Sequence, residues 1–295
     1  MANESSDGPS KTPKATRGAL YEEHLALRAS FTKSEENGLI YPTSYDGEDD
    51  LLSALGGALV SDLTGSTYRL VSGSKPQELC EMAFCAKKLE VGECAFEPAL
   101  TGDGSITSVP LLARTGAHEY VALDPTERGS VVAGWVSFLA GISQDGRAPF
   151  EGTTVEDASA MLVPLFVAGR RASELVADYV PNCRAGLPRA GRLLSVMLDG
   201  HIPSIVGSVP MGGPHAEPAY VIFVQPGHAR VMWRSLLSFN WATPMGRDAV
   251  RNLWDDRLPW AERLSSTDVV EFGEDELKRW GLLRDGSDFV GSRGI

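Results

Sequence analysis

Thr67-Tyr68-Arg69-Leu70-Val71-Ser72-Gly73 decides how this chain is read, because its landmarks return 96 residues later. Gly73 is followed by the turn dipeptide Asp103-Gly104. Gly169, which closes the apolar run Leu162 to Ala168, is followed at the same distance by Asp199-Gly200. Further on, Asp124-Pro125 and Gln225-Pro226 each open a helical pattern, and these patterns carry Trp135 and Trp233 at nearly the same depth. Two copies of one unit packed about a pseudo-two-fold axis leave a shared cleft, and a cleft between units is a common place for a small ligand.

Working outward, each copy reads as β-α-β-β-β-α. In the first, Thr67 to Ser72 alternates as a strand does, and Ser74-Lys75-Pro76-Gln77 has the form of a helix start with Ser74 as cap. Leu79, Met82, Ala83 and Ala86 form that helix's core stripe. Cys94 to Leu100 and Ile106 to Ala113 read as strands around Asp103-Gly104, a dipeptide that tolerates the positive φ of tight turns. After the strand Glu119 to Leu123, Asp124-Pro125-Thr126-Glu127 offers an aspartate cap with proline at the first helical position. The second copy repeats this order through Ala172 to Tyr179, the Asp199-Gly200 hairpin, the strand Tyr220 to Val224 and a helix from Gly227 to Phe239. Further helical turns are expected at Leu20 to Leu27, Arg247 to Trp254 and Glu274 to Trp280. The expected fold class is α+β, with a tail over residues 1–17, one unit over 18–145 and a second over 146–295.

Composition narrows the function classes. The chain has 295 residues, 43% of them hydrophobic, enough for about two domains with a sizeable core. Its formal net charge of -12, without a dense Lys/Arg run, argues against nucleic acid or an anionic membrane as partner. The opening segment lacks the apolar stretch of a signal peptide, and nothing elsewhere is long enough to span a membrane. Cys80, Cys85, Cys94 and Cys183 show no metal-ligand spacing and read as free thiols of a cytoplasmic protein, so no metal site is expected.

Familiar catalytic signatures are missing: there is no P-loop, no GxSxG, no HExxH and no glycine-rich dinucleotide turn. The loop Met211 to Glu217 is the most suggestive segment, with His215 and Glu217 as polar anchors for a ligand, although a bland connection is an equal reading. Arg247-Asp248 suits either a ligand carboxylate or an ion pair at a helix start. Asp62 sits in an apolar stretch where backbone amides would satisfy it, and His24, beside apolar residues, reads as a core or helix-surface residue.

The ordered phrases Leu20-Tyr21-Glu22-Glu23-His24, Val60-Ser61-Asp62-Leu63-Thr64-Gly65, Val71-Ser72-Gly73, Tyr220 to Val224 with Trp233, Arg247-Asp248 and Asp288-Phe289-Val290-Gly291 resemble the folate-binding T-protein family. That family contains the aminomethyltransferase of the glycine cleavage system, tetrahydrofolate-dependent demethylases and folate-binding iron–sulfur-maturation proteins. The resemblance spans residues 18 to 291. It implies the duplicated T-protein-like fold, tetrahydrofolate as cofactor, and transfer of an aminomethyl or methyl group. A lipoyl carrier protein or a separate barrel subunit is an implied partner.

Carried over residue by residue, Glu217 falls where the family places the glutamate that binds the pterin ring, and Arg247 matches an arginine near the folate. His215 flanks Glu217 in the same loop. The family's catalytic aspartate aligns with Ser108-Val109, neither of which is an acid, and Asp124 stands near a pocket-lining asparagine as the available catalytic carboxylate. The cysteine motif of the iron–sulfur branch is lacking at Cys183, and the sequence ends where larger members continue into a C-terminal barrel. A non-catalytic folate- or partner-binding regulatory protein on the same scaffold is the alternative reading.

Overall fold

The structure is a computed structural model that describes residues 13–48, 50–180, 186–212, 216–265 and 268–295. Two antiparallel sheets carry the repeat. In the first, the strand order is Thr153–Asp157, Thr67–Gly73, Glu119–Asp124, Leu111–Gly116, Glu93–Phe96. In the second it is Leu193–Leu198, Ile202–Ser208, Ala219–Val224, Val163–Ala168, Ala58–Asp62, with Ala242–Pro244 added in parallel at the edge. Within each unit the first strand pairs with the last, the last with the hairpin strand before it, and so outward, so the two copies have one topology.

The strands that lead into the units are exchanged. Ala58–Asp62 precedes the first unit but pairs with Val163–Ala168 of the second. Thr153–Asp157 precedes the second unit but pairs with Thr67–Gly73 of the first. Gly73 and Gly169 close the receiving strands at φ 123° and 131°. A Cβ on Gly73 would lie 2.1 Å from Gly152 O, and one on Gly169 would lie 2.6 Å from Gly57 O. These backbone approaches and dihedrals explain why both landmarks are glycine.

Side-chain alternation sorts the strands into layers. Leu165, Val167, Ile222 and Val224 face helices Ala172–Asp178 and Pro226–Leu236, packing on Leu175, Val176, Met232 and Trp233. Val71, Leu112, Tyr120 and Ala122 likewise face helices Pro76–Ala83 and Gly129–Ala140. The intervening residues, among them Tyr68, Val121, Leu123, Phe166, Val221 and Phe223, meet in a central core, where Tyr68 and Phe223 stack at 5.6 Å. This two-residue period places helices outside and the shared core inside.

Three local readings are corrected. Ser74 does not cap its helix: Lys75 occupies that position, and the Ser74 hydroxyl instead donates to Glu151 O at 2.7 Å. Asp124 does not cap the helix after it, which starts at Gly129 behind Arg128, because the Asp124 carboxylate is drawn inward to other donors. Thr16–Arg17, read as tail, pair in parallel with Leu39 and Ile40. The opening helix, Tyr21–Ala26, packs against the second half: Glu23 takes hydrogen bonds from Arg230 and Arg234. From residue 281 the chain returns to the first half, where Arg284 donates to Phe84 O and Glu81 O.

No helix among the described residues is long and apolar enough to cross a membrane. Cys80, Cys85 and Cys94 are buried free thiols, each raised in pKa by burial; Cys183 lies outside the described residues.

Candidate functional site

Two separate clusters contain the residues singled out from the sequence. Asp124 ends the strand Glu119–Asp124 and is 1% exposed. Its Oδ2 accepts from Ser108 Oγ at 2.5 Å, while its Oδ1 accepts from Thr126 N at 2.8 Å and Thr126 Oγ at 2.6 Å. Burial raises the Asp124 carboxyl above the usual range; the Ser108 and Thr126 donors and the nearby Arg247 charge oppose the rise. Ser108 stands at the end of the short strand Ile106–Ser108, so an element separate from Asp124's own strand supplies the donor.

Arg247 joins this cluster through the backbone. As the first residue of helix Arg247–Arg257 it donates from Nε and Nη2 to Pro125 O, at 3.0 and 2.5 Å, and its guanidinium lies 4.3 Å over the Tyr41 ring. The peptide immediately after Asp124 is thus held from the second half of the chain. Burial lowers the Arg247 pKa, yet the group remains a cation at any physiological pH.

Glu217 lies elsewhere. Its Oε2 is 3.0 Å from Arg257 Nη2, at the far end of the same helix from Arg247. Ten residues of helix separate the two arginines by about 15 Å at 1.5 Å per residue. Glu217 and Arg257 line a small pocket, of about 10 Å³, walled by Leu55, Ala168, Met211 and Leu253. The structure therefore brings Asp124 and Arg247 together and sets Glu217 apart from both. His215 lies outside the described residues.

Sequence reasoning missed Arg257, Thr126 and the link from Ser108 to Asp124. Glu217 and Arg257 are 40 positions apart, with no local pattern to join them. Of the core and helix-surface readings of His24 the core one holds, and His24 and Asp62 are both 2% exposed. Asp62 Oδ1 accepts from Thr64 N at 2.9 Å, as the amide reading expected. Its Oδ2 meets His24 Nε2 at 2.9 Å, and His24 Nδ1 meets the Tyr45 hydroxyl at 2.8 Å. This chain joins the N-terminal segment to the second sheet and contributes to packing, with Trp233 edge-on to the His24 ring at 5.0 Å.

The donor set of the Glu217 pocket matches the head of a folate in chemistry alone. A half-buried carboxylate can accept paired hydrogen bonds from a 2-amino group and a neighbouring ring N–H, and apolar walls suit the ring faces. At about 10 Å³ the pocket has room for one water at most, so a pterin ring enters only if its walls part.

No family model matches the sequence, and no curated protein matches it. Solved structures do match the fold. Glycine cleavage system aminomethyltransferase T from Bartonella henselae aligns over 95% of this chain and 74% of its own, with a TM-score of 0.65 and 17% identity. Heterotetrameric sarcosine oxidase from Corynebacterium sp. U-96, in complex with pyrrole 2-carboxylate, aligns over 86% of this chain and 99% of its own, with a TM-score of 0.43 and 12% identity. The first of these establishes the expected α+β, T-protein-like fold.

Proposed function

We propose, from the aminomethyltransferase T fold that this chain adopts, that it binds tetrahydrofolate and serves the transfer of an aminomethyl or methyl group. The observation that carries the reading is the shared fold over 95% of the chain. Tetrahydrofolate, when bound, supplies the amine nitrogens that accept a one-carbon unit. Glu217 holds the pterin, with Arg257 orienting its carboxylate. Asp124, held toward its protonated form by burial, is the candidate acid, and the Ser108 hydroxyl fixes the direction of its carboxyl. Arg247 positions Asp124 through the Pro125 carbonyl. A lipoyl carrier protein as donor, a separate barrel subunit and a cytoplasmic setting belong to the same proposal.

One observation favours the alternative of a non-catalytic folate- or partner-binding regulator. Both carboxylates are already engaged within the protein, Asp124 by Ser108 and Thr126 and Glu217 by Arg257. Removing a positioned acid commonly costs about 10²–10⁴ in rate, so an Asp124 that cannot reach substrate would leave a binding protein. Anaerobic calorimetric titration with tetrahydrofolate separates the cases. Binding that weakens in Glu217→Gln supports the folate site, and turnover with an aminomethyl or methyl donor that is lost in Asp124→Asn supports the transferase. Unchanged affinity in Glu217→Gln removes the assigned pocket.

A further inference from the structure

Three of the four edges of the two large sheets are closed to further pairing. Ala242–Pro244 is short and ends in proline, and Thr153–Asp157 carries the exposed acids Glu156 and Asp157. Glu93–Phe96 is met by the chain that enters the other sheet: Cys94 N donates to Gly191 O at 3.0 Å, and Leu193 N donates to Gly92 O at 2.9 Å. The fourth edge, Leu193–Leu198, lacks such protection. Its six residues include no charge and no proline, no strand covers its outer side among the described residues, and Ser195 and Met197 are exposed, Met197 at 49%.

The groups that this edge leaves unpaired follow from its register. Met197 stands opposite Pro203, which has no N–H, so the two form a pair that exchanges no hydrogen bonds. By alternation Leu194, Val196 and Leu198 bond toward Ile202–Ser208, while Leu193, Ser195 and Met197 aim N–H and C=O outward. The outward bond from Leu193 N to Gly92 O agrees. Beyond Leu193, the N–H and C=O of Ser195 and the N–H of Met197 have no backbone partner among the described residues. Met197 O accepts from Gly200 N at 3.3 Å and keeps a second lone pair.

The two ends of the edge differ in charge. Before it, Lys87, Arg189 and Arg192 outnumber Glu90 and Glu93, and Glu93 is shared by Lys87 and Arg192. After it, the exposed Asp178 and Asp199 stand beside Tyr179, and neither forms an ion pair among the described residues. An antiparallel strand of the same sequence lays positive end against negative end, whereas a parallel one brings like charges together. A net charge of -12 repels copies in most orientations, and an edge that is uncharged along its length with opposite ends allows one.

We propose that Leu193–Leu198 is the docking edge for a second copy of this chain, paired antiparallel about a two-fold axis at Val196. Ser195 of each copy then lies opposite Met197 of the other and exchanges both N–H···O=C bonds with it, so every outward group named above is used. Leu194 meets Leu198 of the second copy, and Val196 meets its own equivalent. The pairing ends at Leu193, already taken by Gly92, where the other strand turns away at Asp199 and brings that acid near Arg192. The contact depends on neither Glu217 nor Asp124.

The test is sedimentation velocity of the full-length protein from low micromolar to near-millimolar concentration, with amide hydrogen exchange measured at both ends of the range. A monomer–dimer equilibrium is expected, with the Ser195 and Met197 amides slow to exchange at high concentration and fast at low. Ser195→Pro removes an N–H that bonds nothing within the chain and should weaken the dimer about tenfold or more. Met197→Lys, which supplies the kind of edge charge that natural sheets use against pairing, should do the same with its backbone intact. Asp199→Asn keeps the turn and should weaken the dimer more at low salt than at high. Thermal melts of each variant at low concentration should match wild type. A monomer throughout the range, which would leave the edge to a strand of another protein, overturns the proposal. A dimer whose protected amides lie elsewhere, or whose strength is unchanged in both Ser195→Pro and Met197→Lys, overturns it as well.

Discussion

Ser108 Oγ lies 2.5 Å from Asp124 Oδ2, and the two positions come from different strands that the sequence gives no reason to join. The serine hydroxyl donates to a carboxyl group that burial pushes toward its protonated form.

Replacing Ser108 by Ala should destabilise the protein by about 1.5–3 kcal/mol, the usual loss for a hydrogen bond to a charged group. The missing donor served the ionised carboxylate, so the Asp124 pKa should rise further. An acid whose folded pKa is raised stabilises the fold at low pH and loses that contribution as pH rises. The destabilisation in chemical denaturation should therefore be larger at neutral pH than in mild acid, with Ser108→Thr close to wild type.

Glu97 should impose a second pH dependence on stability. It is fully buried, burial pushes its carboxyl up to about 8, and the Ala86 and Lys87 amides partly offset this. Below the ordinary glutamate range both folded and unfolded forms are protonated. As pH rises from there toward about 8 only the unfolded form ionises, so stability falls across that window and levels off above it. Thermal melts from about pH 5 to about pH 9 should show wild type losing more than Glu97→Gln, which cannot ionise. Parallel curves would refute the assignment.

Glu217→Gln should reduce tetrahydrofolate affinity by about tenfold or more, the worth of converting a charge-assisted pair of hydrogen bonds to a neutral one. Its effect on folding should be small, because the pair with Arg257 is partly exposed, at 22% and 28%. Calorimetry and a melting curve on the same sample read both quantities.

Gly73→Ala and Gly169→Ala should be destabilising to a similar degree. Each residue has a φ that L side chains rarely adopt, and each added Cβ meets a carbonyl oxygen at 2.6 Å or less. The backbone conformation alone costs about 1–3 kcal/mol, and the contact adds to it. A neutral result at either site in urea denaturation would break the structural equivalence of the two copies.

The sequence carried the repeat because its signals are local: alternation in Thr67 to Ser72, the recurrent glycines and the paired Asp-Gly turns. Asp199 and Gly200 both take positive φ, as the turn chemistry requires, whereas at the first turn only Gly104 does, with Asp103 bonding Thr101 and Ser105 instead. Ser74 and Asp124 were misread because a polar side chain before a proline looks like a cap whether its partner is the helix or a distant backbone. The exchange of Ala58–Asp62 and Thr153–Asp157 was illegible, since a strand's alternation fixes its faces but not which edge it joins. The candidate residues could be picked out of the sequence only one by one, and which of them the fold brings together could not. Arg247 was matched to the folate site of Glu217, but the helix that bears it carries a second arginine, Arg257, and that one reaches Glu217.

The reciprocal exchange of lead-in strands makes the molecule comparable to a domain-swapped dimer written into one polypeptide. A cut between residues 141 and 149 would give two fragments, each lacking a strand that its own sheet needs and carrying one that belongs to the other. Neither fragment has a complete sheet to fold around alone, so each would expose a pairing edge that only its counterpart fits. The halves are bound to fold as a pair, and a single cooperative transition of the whole chain is the natural outcome of its topology.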